Sequence, residues 1–184
     1  YKKYEMICND IVETDADIDM LIQLGKDSIT REITNYIKAY SFDGIQKATR
    51  DVTSMGVDYR LFPNTPISIM EFEEEAEETV KGVLKDIKKR VGSSRNPDTV
   101  KIIFKTLEYR LRFLINFILP KVYWDSYIKT GHNLGVEKAY ILFNGSDDEN
   151  DHPSEIDTGA FSIDDIPAYH SFCDCKVSFK AGEK

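Results

Sequence analysis

Five side chains near the end of the chain have types and spacing that suit metal chemistry. His152-x-x-Glu155 is followed by His170-x-x-Cys173-x-Cys175, so two of the three histidines and two of the three cysteines fall in one short stretch. Imidazole nitrogen and thiolate sulfur are preferred zinc donors, and a hairpin between the two groups brings them together around a tetrahedral ion. On that reading His170, Cys173 and Cys175 are the core ligands, His152 is the fourth, and Glu155 substitutes for it or orients it from behind. A shell closed by four protein ligands makes zinc a structural staple. The competing reading is ordinary packing, with Cys173 and Cys175 as small buried residues and His170 capping a turn.

An acidic run beside these residues, Asp147, Asp148, Glu149 and Asp151, has the oxygen ligands for magnesium, with His152 or Cys173 available as base or nucleophile. Nothing organises them into a catalytic centre. The chain has no phosphate-cradling glycine loop, no His-Glu-x-x-His helix and no Gly-x-Ser-x-Gly elbow. The run reads as a solvated loop and the chain as a non-enzyme. Three cysteines, two of them separated by a single residue, argue against a disulfide framework and for a reducing compartment or metal ligation.

The elements that must position these residues are mostly helical. With 184 residues, 41% apolar content, ten Tyr and ten Phe, the chain has the aromatic area to offset its ordering entropy. A net charge of −8 opposes direct DNA binding. No apolar run approaches a membrane span, and Tyr1-Lys2-Lys3-Tyr4-Glu5 does not resemble a signal peptide, although a start without methionine fits a piece of a longer chain.

Periodicity predicts a helix over 17–40 with Gly25 as its weak point, a break at Ser41-Phe42-Asp43-Gly44, and a shorter helix over 45–55 closed by Gly56. After the Pro63–Pro66 loop, Phe72, Ala76, Val80, Val83, Leu84, Ile87 and Val91 form one stripe, with glutamates leading and lysines trailing as the helix dipole favours. Asn96 and Pro97 read as a cap and first turn. The helix they open carries Val100, Ile103, Phe104, Leu107, Leu111, Leu114, Ile115 and Ile118 on one face. A second stripe, Ile102, Tyr109, Phe113 and Phe117, fits either the centre of a bundle or a subunit interface, and the first is the simpler expectation. Pro120 is expected to end or kink this helix, with helix resuming to Gly131. Beyond Gly135 the composition turns to short β-type runs. The expected fold is therefore α+β: a helical domain over 1–134 and a small β-rich module over 135–184 that zinc would staple.

Gly135-Val136 through Ala139-Tyr140, then Asp157-Thr158-Gly159-Ala160-Phe161, Asp164-Asp165-Ile166-Pro167 and His170-Ser171-Phe172-Cys173-Asp174-Cys175, resembles the C-terminal module of phage Mu F-like minor head proteins. In that family a helix runs into Gly-Val, a short strand with an aromatic residue, a Cys-x-x-Cys knuckle, a turn, a proline segment and His-Pro-x-Cys-Arg-Cys. Here His152-Pro153-Ser154-Glu155 stands in place of Cys-Pro-x-Cys, and Ser171 and Asp174 replace proline and arginine. The resemblance implies a head morphogenesis protein of the virion, made in the host cytoplasm and assembling in oligomeric contact with portal and capsid proteins. A neck or head-tail adaptor is the alternative, and a metal-dependent enzyme or toxin module a more distant one.

Overall fold

The computed structural model describes residues 1–14, 16–92, 96–142, 160–166 and 176–180. Four helices, α1 (Lys2–Glu13), α2 (Ile18–Ser54), α3 (Met70–Val91) and α4 (Pro97–Asn133), precede three strands, β1 (Lys138–Leu142), β2 (Ala160–Ser162) and β3 (Lys176–Ser178). The strands form an antiparallel sheet in the order β2-β1-β3. A mainly helical chain followed by a small antiparallel sheet is the α+β plan expected from the sequence.

Contacts divide the chain into two compact units, Tyr1–Lys38 with Ile69–Ile118, and Ala39–Ser68 with Leu119–Lys184. The change from helix to strand after residue 134 lies inside the second unit.

The first unit follows from its apolar stripes. All seven stripe residues of α3 are buried, as are Ile29, Ile33 and Ile37 of α2 and Val100, Phe104, Leu107, Leu111, Leu114 and Ile118 of α4. Asn96 caps α4, its side-chain oxygen accepting from Thr99 N–H at 3.0 Å. The helix α1 was not anticipated, yet Tyr4, Ile7, Cys8 and Ile11 recur at three- and four-residue steps and all are buried. The Tyr4 hydroxyl donates to the Phe104 carbonyl at 2.7 Å, and the two rings lie 4.9 Å apart. Gly25 does not weaken α2. It is buried where Ile7 packs, and any Cβ there would run into that side chain.

In the second unit the expected break at Ser41–Gly44 is absent, and α2 runs through it. These small residues are instead a close helix-to-helix contact. Ser41 and Ser126 hydroxyls meet at 2.8 Å, and a Cβ on Gly44 would lie 2.6 Å from the Tyr123 carbonyl oxygen. Pro120 does not end α4 either. The local cost of proline in a helix, about 3 kcal/mol, is outweighed by packing, since Ile118, Leu119 and Val122 beside it are buried.

Helices α2 and α4 both end in the same chemistry. Gly56 and Gly135 have φ of +87° and +75°. Val57 N–H donates to Val52 O and Gly56 N–H to Thr53 O; Val136 N–H donates to Gly131 O and Gly135 N–H to His132 O. Each is a left-handed glycine cap satisfying the last carbonyls of its helix. The residues after the glycines, Val57 and Val136, turn into one core with Ala48, Val52, Tyr127, Leu134, Ala139, Ile163 and Phe179. The cap at Gly135 delivers the chain directly into β1.

Two glycine substitutions separate these roles. Gly44→Ala is expected to lower unfolding free energy by about 1–3 kcal/mol, because the backbone carbonyl it would strike cannot move aside. Gly82→Ala, whose Cβ would meet only the Arg110 guanidinium at 3.3 Å, is expected to raise it by up to about 1 kcal/mol. Urea denaturation of both variants checks the pair.

Candidate functional site

The register of the sheet places three chain ends together. Leu142, the last residue of β1, pairs with Lys176, the first of β3, and Tyr140 pairs with Ala160, the first of β2. One end of the sheet thus holds the exit of β1 and the entries of both other strands. In sequence, His152 and Glu155 lie between Leu142 and Ala160, and Cys175 immediately precedes Lys176. The candidate ligands His152, Glu155, His170, Cys173 and Cys175 lie outside the described residues, as do Asp147, Asp148, Glu149 and Asp151. Among the described residues, no group of three or more His, Cys, Asp or Glu is placed to hold a metal ion.

What fixes this sheet to the helices is a buried polar network centred on Tyr127. The Tyr127 hydroxyl donates to Asp51 Oδ2 at 2.8 Å and accepts from Phe179 N–H at 3.1 Å. Lys47 Nζ donates to both Asp51 oxygens, at 2.6 and 2.8 Å. Asp51 is only 6% exposed, and burying a carboxylate is tolerated because these donors replace its water. The fully buried Tyr127 ring stacks on Phe179 at 4.2 Å between centroids. Gly131, one turn along α4, leaves the space that the Phe179 ring fills.

Burial pushes the Tyr127 phenol well above its ordinary value, and the hydrogen bond to Asp51 pushes it further. The group therefore stays protonated and keeps donating. A second link, His132 Nε2 to Asp164 Oδ1 at 3.3 Å, joins the end of α4 to the turn after β2; both side chains are exposed, so it contributes little. Sequence reasoning did not single out Tyr127, Asp51 or Phe179. The available signal was the Tyr127/Gly131 pair, an aromatic residue and a space one turn apart.

The second unit also holds a cleft of about 500 Å³ between the Tyr59–Ile67 segment, α2 and α4. Ile45, Phe62, Pro66 and Leu134 supply apolar walls, while Thr49, Asn64, Thr130 and Asn133 supply uncharged polar groups. Among the described residues, no Asp, Glu, His or Cys lines it. Its Arg60 donates to its neighbour Asp58 at 2.8 and 2.9 Å.

The second stripe of α4 is not the centre of a bundle. Ile102 is 66% exposed, Tyr109 64% and Phe113 46%, with Phe113 stacked on Phe117 at 6.1 Å. No helix among the described residues is long and apolar enough to cross a membrane. Compared with protein-family models, curated proteins and solved structures, the chain matches none.

Tyr127→Phe is expected to cost about 1–3 kcal/mol, since Phe179 N–H loses its acceptor and Asp51 loses a donor. The pH dependence follows from the raised phenol. A group whose pKa is higher folded than unfolded stabilises the fold fully below the unfolded value of about 10 and loses that contribution as pH rises toward the folded one. Stability should therefore fall on the alkaline side of pH 10, and less steeply in Tyr127→Phe. Tyr4, also raised chiefly by burial, keeps its own share of the slope in the variant. Guanidinium unfolding between pH 7 and 11 measures both.

Proposed function

We propose that the chain is a structural protein of a phage head, a minor head protein acting in head morphogenesis beside the portal and capsid. The observation that carries this reading is the resemblance of residues 135–175 to the Mu F-like module. It is supported by the local architecture at its start, where α4 ends in a glycine cap at Gly135, Val136 enters the core, and β1 follows with Tyr140. The exposed apolar stripe of α4 and the largely apolar and amide- or hydroxyl-lined cleft suit a protein that docks.

Zinc is the proposed ligand of the module, held by His170, Cys173 and Cys175 with His152 fourth and Glu155 in support. Bound there it would tie the segments that leave and enter one end of the sheet, adding stability that strands this short lack alone.

Two measurements test the reading. Elemental analysis of purified protein should find near-stoichiometric zinc, lost in Cys173→Ser/Cys175→Ser; a metal-free wild type would remove the staple and favour a neck or adaptor protein. Mass spectrometry of purified heads should recover peptides of this chain at low copy relative to the major capsid protein. Recovery only from the unassembled fraction would overturn the head assignment.

A further inference from the structure

The buried apolar side chains of the described residues are Ile, Val, Leu, Ala, Phe, Tyr, Trp and Cys, with no Met among them. All four methionines of the chain stand on the surface instead: Met6 is 55% exposed, Met20 51%, Met55 46% and Met70 63%. Methionine is ordinarily one of the residues found inside, where its flexible thioether fills irregular gaps. A core closed without it leaves every methionine side chain within reach of solutes.

Their positions in the helices also matter. Met20 lies in the first turn of α2, Met70 opens α3, and Met55 follows Ser54, the last residue of α2. Helix propensity weighs on helix interiors, so a changed side chain at these three places disturbs the helix little. Met6 lies within α1, on the side away from buried Tyr4, Ile7, Cys8 and Ile11.

A thioether reacts without first ionising. Its sulfur lone pair attacks one oxygen of hydrogen peroxide, an S–O bond forms as the O–O bond breaks, and the departing hydroxide collects the remaining proton as water. Sulfur loses two electrons and the peroxide gains them. A thiol must first become a thiolate, and Cys8 is buried, which pushes its thiol up and keeps solutes from it. The exposed and buried sulfurs of the described residues therefore differ in both access and chemistry.

We propose that Met6, Met20, Met55 and Met70 are oxidation sites that each take up one oxygen from hydrogen peroxide while the protein stays folded. A sulfoxide inside a core would be a buried polar group in need of a partner, whereas at these four positions water solvates it. The inference stands apart from the head assignment, and neither depends on the other.

The test treats the wild-type protein with hydrogen peroxide and maps each sulfur by mass spectrometry of digests taken at intervals. Each methionine should be oxidised within about fivefold of its rate in urea-unfolded protein, since exposure governs the reaction. Cys8 should stay reduced in the folded protein. Hydrogen exchange of α3 amides, which lie in the other unit from Cys173 and Cys175, should be unchanged once all four methionines carry oxygen. A methionine slower than that range when folded would overturn the proposal. Loss of α3 protection on full oxidation would overturn it as well, and so would oxidation of Cys8 in step with the methionines.

Discussion

The buried carboxylate of Asp51 is the constraint around which the second unit is arranged. A charge this deep is tolerated only while Lys47 and Tyr127 donate to it, and burial raises the Tyr127 phenol so that it goes on donating at alkaline pH. The same hydroxyl then accepts from the backbone at Phe179, which ties the last described strand to α4. Strands of three to five residues cannot hold a sheet by themselves, so their order depends on this connection and on the stacked Tyr127 and Phe179 rings.

Small residues make that arrangement possible. Gly44 and Ser41 let α2 and α4 approach, Gly131 leaves the cavity for Phe179, and Gly56 and Gly135 end the helices in a conformation that turns Val57 and Val136 into the core. In each case the side chain that is missing matters as much as those present. The first unit relies on a different principle, buried apolar stripes on α3 and α4, with α1 packed on α4 through Tyr4 and on α2 through Ile7.

Where the chain's own periodicity carries the information, the sequence was readable. The α3 stripe matches the buried set residue for residue, the Asn96 cap and Pro97 start lie where expected, and Gly56 takes the left-handed conformation. The errors share a cause: residues read for their local preference were serving a distant contact. Ser41 and Gly44 look like a break until Tyr123 and Ser126 lie beside them. The four-residue rhythm of Tyr4, Ile7, Cys8 and Ile11 was legible and was overlooked. Tyr127 and Asp51 were not legible, because they are 76 residues apart and neither sits in a motif. The His and Cys candidates belong to segments outside the described residues, so the geometry bears only on the strand ends that flank them.

These relations make the helices a platform and the C-terminal sheet a fixture upon it. Native-state hydrogen exchange in wild type and Phe179→Ala measures that dependence directly. The expected result is a drop of roughly 3–5 kcal/mol in the opening free energy of β1 amides, including Ala139 and Ile141, while α3 amides in the other unit keep their protection. Unchanged protection of β1 in the variant would contradict it, and would mean that the sheet is held by something other than the Tyr127–Phe179 contact.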